Sequence, residues 1–365
     1  MQRQRIGTTR PRQQFVCWAL IGVALVVVPV TGSGNAGAAP RDPGASTGLA
    51  VARVSGADRY ETAAAIAQAG WPSALPSGST VLLATGENYP DAVAGAAAAG
   101  HLAVPLLLTR TASLPDQTKA QILRLKPTKV ALLGSTSAIS DTVAGQISAL
   151  GVDVVRWQGA NRYATAAAVS QATYPDGATN VYLATGTAFP DALAGSALAA
   201  VAGGPLLLTD PHSLPSATAD EISRLHPSAI IVLGDTNAVS SQVADAAQAA
   251  SGGSALSRIN GPDRFQTADA LASVLVQVHG GTAASNGILI ATGMNFADAL
   301  AGAAWAGASD RPLLLVPGSY VTTQTWTTIQ QLRASSAIVL GGTASVSDAV
   351  ANGLHTGSPP TSPPH

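Results

Sequence analysis

Four sequence blocks recur three times in the same order, and this internal repetition constrains the fold more than any single motif does. Arg53-Val-Ser-Gly-Ala-Asp58-Arg59-Tyr60 returns as Arg156-Trp-Gln-Gly-Ala-Asn161-Arg162-Tyr163 and as Arg258-Ile-Asn-Gly-Pro-Asp263-Arg264-Phe265. The second block is LATGENYPDAVAG, LATGTAFPDALAG and IATGMNFADALAG, which carries Asn88 and Asp91, then Asp191, then Asn295 and Asp298. A Pro-Leu-Leu-Leu block at Pro105, Pro205 and Pro312 follows, and then a glycine block centred on Gly134, Gly234 and Gly341. The chain is therefore read as three modules, 50–151, 152–254 and 255–355.

Within a module, Val81–Ala84, Leu106–Leu108 and Val130–Leu133 are apolar without alternation, as expected of strands buried on both faces of a parallel sheet. Helix-like stretches over Glu61–Gln68, Asp91–Gly100, Asp116–Leu125 and Asp141–Leu150 separate them. Alternating β and α elements with short connections imply right-handed crossovers, so the expected class is α/β: three tandem, small, doubly wound modules with mainly parallel sheets. After Leu354 no strand corresponds to Val154–Trp157, so the modules are expected to share or exchange an edge strand.

The ends read differently. Residues 1–38 have the profile of a signal peptide: Arg3, Arg5, Arg10 and Arg12 without an acidic residue, an uncharged run from Phe15 to Val30, and the small-residue site Ala36-Gly37-Ala38. The alternative is an uncleaved membrane anchor, for which the run is a little short of the roughly 20 apolar residues a span needs; after cleavage no stable span is expected. Residues 39–49 read as a linker and 356–365 as a disordered Pro-rich tail. The single cysteine, Cys17, falls inside the signal, leaving the exported chain without thiol chemistry.

Removing the four signal arginines from the 19 basic residues leaves 15 against 20 acidic ones, a net charge of about −5, which argues against nucleic acid as a partner. The histidines, at 101, 212, 226, 279, 355 and 365, occupy no equivalent repeat positions and show no metal-ligand spacing, so no metal site is expected. There is no Walker A motif and no DxD pair, and neither a cofactor nor an enzyme activity is expected.

The four blocks resemble the type 2 cell-wall-binding repeat family, over roughly residues 50–355. The resemblance implies a Toprim-like module, three copies around a pseudo-threefold axis, and noncovalent tethering of Gram-positive surface proteins to an anionic wall polysaccharide or teichoic-acid-like polymer. A secreted protein at the cell wall or cell surface is implied. A surface-layer or adhesin component, and a non-catalytic modifier of a separate wall hydrolase, are the alternatives.

Ligands of open α/β sheets bind beyond the C-terminal strand ends, where helix N-termini attract anions. On that rim, Asp91, Asp191 and Asp298 are either first-turn carboxylates complementing a helix or acceptors for sugar hydroxyls. Arg59, Arg162 and Arg264, each opening a helix, either pair with the rim carboxylate of their own module or capture phosphate and carboxylate bidentately. Arg53, Arg156 and Arg258 divide the same way, and Asp58, Asn88, Asp263 and Asn295 complete the candidate set. Tyr60, Tyr163 and Phe265, with Tyr89, Phe189 and Phe296, are read as core packing, with sugar stacking as the alternative. Module two, with Asn161 for Asp and Ala188 for Asn, is the doubtful binder.

Overall fold

The computed structural model describes residues 48–278, 281 and 286–363. The signal-peptide reading and nearly all of the linker lie outside these residues. Among the described residues, twelve strands and twelve helices alternate from β1 (Ala50–Val54) to α12 (Asp348–Thr356). They form three four-stranded parallel sheets: β3-β2-β4-β5 in the first, β7-β6-β8-β9 in the second and β11-β10-β12-β1 in the third.

The first sheet consists of β2 (Thr80–Thr85), β3 (Leu106–Thr109), β4 (Lys129–Leu133) and β5 (Asp153–Trp157). The second has β6 (Asn180–Thr185), β7 (Leu206–Thr209), β8 (Ala229–Leu233) and β9 (Ala255–Ile259), and the third β10 (Ile288–Thr292), β11 (Leu313–Val316), β12 (Ser336–Leu340) and β1. Numbered within a sheet, the order is 2-1-3-4, so the winding reverses between the first and third strands, as in doubly wound folds.

The fourth strand of every sheet is the one that opens the next repeat. β5 and β9 leave their own repeats to close the preceding sheet, and β1 closes the last one, with Ala50 in register with Ser336 and Val54 with Leu340. The expected exchange of edge strands thus runs in a closed ring, and Ser46–His365 form one compact unit. Chain ends meet where the ring closes: the Leu49 amide donates to the Leu354 carbonyl at 2.9 Å. Beyond α12 the chain stays on the module, with Pro359 buried and the Val321 amide donating to the Pro360 carbonyl (2.8 Å), where composition alone suggested disorder.

At the centre stand three helices rich in Ala and Gly: α2 (Pro90–His101), α6 (Pro190–Ala202) and α10 (Ala297–Ala308). Each is buried on nearly every side, which requires apolar residues all round rather than one stripe. Small residues let the helices approach: a Cβ on Gly100 would lie 2.8 Å from the Ala200 Cβ and 3.2 Å from the Gly307 Cα. At their N-terminal ends Tyr89, Phe189 and Phe296 form a triangle of rings with centroids 5.4, 5.9 and 6.1 Å apart. Two of the three pairs are edge-on, an arrangement favoured by ring electrostatics. These rings mark the pseudo-threefold axis and join one core drawn from all three modules.

Candidate functional site

At the C-terminal end of β2, the turn Gly86–Tyr89 carries Asn88 and leads into α2, whose first turn carries Asp91. Asp91 stands in the first turn of α2, whose cap residue, Tyr89, makes no side-chain bond to the helix. Its carboxylate faces across the sheet to Gly134, after β4, where an added Cβ would meet Asp91 Oδ2 at 2.3 Å. Gly234 stands the same way against Asp191 and Gly341 against Asp298, with φ of +93°, +88° and +94° in the three copies. Glycine is required twice over here, for the left-handed backbone and for the carboxylate beside it. In the third module Ser345 Oγ also donates to Asp298 Oδ2, at 2.9 Å.

Burial raises the pKa of all three carboxyls, that of Asp191 to about 6. The opposing influences come from the next repeat: the Thr165 hydroxyl and Arg162 for Asp91, and the Thr267 hydroxyl and Arg264 for Asp191. Arg59 acts likewise on Asp298.

Arg59, Arg162 and Arg264 open α1 (Arg59–Gly70), α5 (Arg162–Thr173) and α9 (Arg264–Val278), the helices that lead from one sheet to the next. Each donates through Nη1 to the carbonyl of the Thr-Gly turn ahead of it: Arg59 to Gly86, Arg162 to Gly186 and Arg264 to Gly293 (2.9 Å). Behind them lie the carboxylate and ring of the preceding module, with Arg59 over the Phe296 ring at 5.6 Å and Arg264 over Phe189 at 6.0 Å. Each arginine thus bridges two modules. Among the described residues none forms an ion pair with the carboxylate of its own module, as one sequence reading expected.

The other predicted residues separate by role. Asp58 and Asp263 are N-caps: Asp58 Oδ1 accepts the Tyr60 and Glu61 amides (both 2.9 Å), and Asp263 Oδ1 those of Phe265 and Gln266. Asn161 does the same, so the Asp-to-Asn exchange in module two preserves a cap. Arg53, Arg156 and Arg258 clamp the exchanged strands. Arg53 donates to the Gly341 carbonyl (2.8 Å) and pairs with Asp348 (3.2 Å); Arg156 does so with Gly134 and Asp141; Arg258 holds the carbonyls of Gly234, Asp235 and Val239. These five residues, offered by the sequence as ligand groups, are occupied by backbone and neighbouring side chains. Asn88 and Asn295 keep their amide nitrogens free of bonds to described residues while accepting a local N–H.

What remains open are clefts at the switch points. One of about 200 Å³ lies among Asn88, Asp91, Thr111, Ser137 and Arg162, with Glu87 at its edge, between the first sheet and the start of α5. Its counterpart, about 190 Å³, is lined by Asp191, Asp235, Asp263, Arg264 and Thr267. A third, about 320 Å³, carries hydroxyls and an amide but no charge: Thr292, Asn295, Ser319, Thr343, Ser345 and Ser347. Hydroxyl, amide and carboxylate groups of this kind suit the hydroxyls of a sugar chain. The sequence reading missed Glu87, Thr111, Ser137 and Asp235, which lie in loops whose approach depends on sheet order; it also missed Thr165 and Thr267, whose signal is a threonine repeated six residues after the repeated Gly159 and Gly261. Among the described residues no group of His, Cys, Asp or Glu could hold a metal ion, and no helix is long and apolar enough to cross a membrane.

The profile of the cell wall binding domain 2 (CWB2) family matches residues 53–144, 156–244 and 258–351, one match per repeat. The chain is 31% identical over 86% of its length to N-acetylmuramoyl-L-alanine amidase LytC of Bacillus subtilis, of which it spans 59%. It is 27% identical over 83% of its length to the amidase enhancer of the same organism, of which it spans 40%. Cwp6 from Clostridium difficile has the same fold, with a TM-score of 0.76 at 24% identity over 91% of this chain and 52% of that one. Cwp8 follows at 0.70 and 23%, over 80% and 49%. A threefold ring of strand-exchanged modules, matched repeat by repeat over most of its length, makes this chain a member of the cell wall binding domain 2 family.

Proposed function

We propose that the chain holds noncovalently to an anionic wall polymer through its three modules and does not itself catalyse a reaction. The match of all three repeats to a cell-wall-binding family carries this reading. The clefts support it chemically. They sit where doubly wound sheets bind ligands; the first combines a guanidinium, a buried carboxylate, an amide and hydroxyls, and the third an amide and hydroxyls. Each of Arg59, Arg162 and Arg264 uses one N–H on a glycine carbonyl and belongs to a planar fork of five donors, so further donors remain for a sugar oxygen. Asp91, Asp191, Asn88 and Asn295 accept or donate beside them, and Asp298 serves the third cleft through Ser345. Three weak sites on one rigid ring add avidity.

Two of its relatives are an amidase and an amidase enhancer, so a separate wall hydrolase is a candidate partner. Purified residues 39–365 are expected to sediment with isolated Gram-positive walls, and to lose most of that binding once acid extraction has removed the secondary polymers. Unchanged binding to extracted walls would move the target to peptidoglycan. Release of new amino groups from the walls would overturn the non-catalytic reading.

A further inference from the structure

Charge is distributed unevenly over the ring. Residues 152–254 hold eight acidic groups against three arginines, whereas residues 50–151 hold seven basic groups against six acidic ones. The only lysines of the chain, Lys119, Lys126 and Lys129, fall within eleven residues of that first module. Most described arginines are engaged: by backbone carbonyls, by carboxylates, or by an aromatic ring as in Arg311 over Trp305. Lys119, Lys126 and Lys129 are exposed and make no ion pair or side-chain hydrogen bond to any described residue, a condition shared only by Arg333.

The three lysines share one corner. Lys119 lies on α3 (Asp116–Leu125), and Lys126 is its left-handed C-cap at φ +50°. They are seven residues apart, two helical turns or about 10 Å along one face. Between them Leu123, at i+4 from Lys119, leaves 50% of its surface in solvent. Lys129 opens β4 three residues later, beside Asp153 in register but not ion-paired with it, and Asp116 starts the helix one turn before Lys119. The equivalent face is Ala219, Ser223 and His226 in the second module and Trp326, Gln330 and Arg333 in the third, so the triplet belongs to the first module alone.

This corner is at the strand-start end of the first sheet, opposite the cleft at its C-terminal end. That cleft is acidic on balance, with Glu87 and Asp91 around Arg162, and the second cleft more so, with Asp191, Asp235 and Asp263 around Arg264. A polyanion is repelled from such clefts and attracted to unpaired ammonium groups. We propose that the anionic groups of the polymer dock on the Lys119–Lys126–Lys129 corner, with Leu123 against its apolar backbone, while the clefts take its sugar hydroxyls. The proposal rests on the reading of the chain as an anionic-polymer binder.

The test uses the exported chain and the Lys119→Gln, Lys126→Gln, Lys129→Gln triple variant, with Arg333→Gln as control. Two probes are titrated across a range of salt: isolated walls, and soluble inorganic polyphosphate followed by calorimetry. Three exposed charge contacts predict an affinity about tenfold lower for the triple variant on both probes, a flatter salt dependence, an unchanged melting temperature and little effect of Arg333→Gln. Failure of the parent to bind walls would sink the polymer reading, and polyphosphate would still decide the corner. Parent-like affinity and salt dependence of the triple variant on polyphosphate, or an equal loss in Arg333→Gln, would overturn the proposal.

Discussion

Asp269 is the residue whose environment departs most from its counterparts. It stands where the first two modules have Ala64 and Ala167, it is 3% exposed, and its Oδ1 has no hydrogen-bond partner. Oδ2 accepts the Thr325 hydroxyl at 3.0 Å, whereas Thr118 and Thr218 donate to the carbonyls of Leu108 and Leu208. Burial pushes the Asp269 carboxyl up to about 7, against the Thr325 bond and with the help of Asp263. A carboxyl raised in the folded state binds its proton more tightly there than in the unfolded chain. Its stabilising contribution is therefore complete below about pH 4 and is lost as pH rises to about 7. At 1.36 kcal/mol per unit the loss amounts to about 4 kcal/mol at most. Asp269→Ala should accordingly melt well above the parent at pH 8 and close to it at pH 4, as read by calorimetry. A smaller gain at pH 8 than at pH 4 would contradict the assignment. Asp191, also raised, leaves the variant with part of the parent's decline.

The exchanged strands dominate at the level of elements. β1 contributes one parallel ladder to β12, and Arg53 adds its bonds to Gly341 and Asp348. Deleting residues 39–56 should therefore lower the melting temperature strongly and speed amide exchange in Ser336–Leu340, while Lys129–Leu133, whose partner β5 is intact, stays protected. Equal exchange in both strands would show that the ring melts as a whole. Most elements were legible beforehand: the apolar runs at Val81, Leu106 and Val130 and the helices between them fell within a residue or two of their observed ends. An open edge after Leu354 was legible too, as a missing repeat of Val154–Trp157. The arginines were not. Arg53 finds its partner 288 residues away, so its sequence neighbourhood left an ion pair and a ligand contact equally open and did not show the clamp. The first-turn place of the rim aspartates was legible, but their turn toward Gly134, Gly234 and Gly341 was not, because it depends on two strands of the sheet lying side by side. The Tyr89, Phe189 and Phe296 positions were read as packing, and the rings do pack, on one another about the axis.

For the whole molecule, strand exchange means that no repeat as spelled in the sequence contains a complete sheet. Residues 152–254 carry β5, which belongs to the first sheet, and lack β9, which completes the second. A ring of this kind has no preferred starting point, and its natural break is only where Leu49 meets Leu354. Gly151, at φ +79° in the exposed turn before β5, is the equivalent position one module on. A circular permutant that begins at Val152, runs to Pro363, crosses a short Gly/Ser linker to Gly48 and ends at Gly151 would again close the ring with its first strand, β5 on β4. It should remain monomeric, melt within a few degrees of the parent and bind walls equally well. Residues 152–254 alone, short of an edge strand and of two thirds of the axial core, should unfold at much lower denaturant and lose most wall binding. A stable, fully binding single module would show that the ring is dispensable; a permutant that aggregates would show that closure at β1 is special to the natural ends.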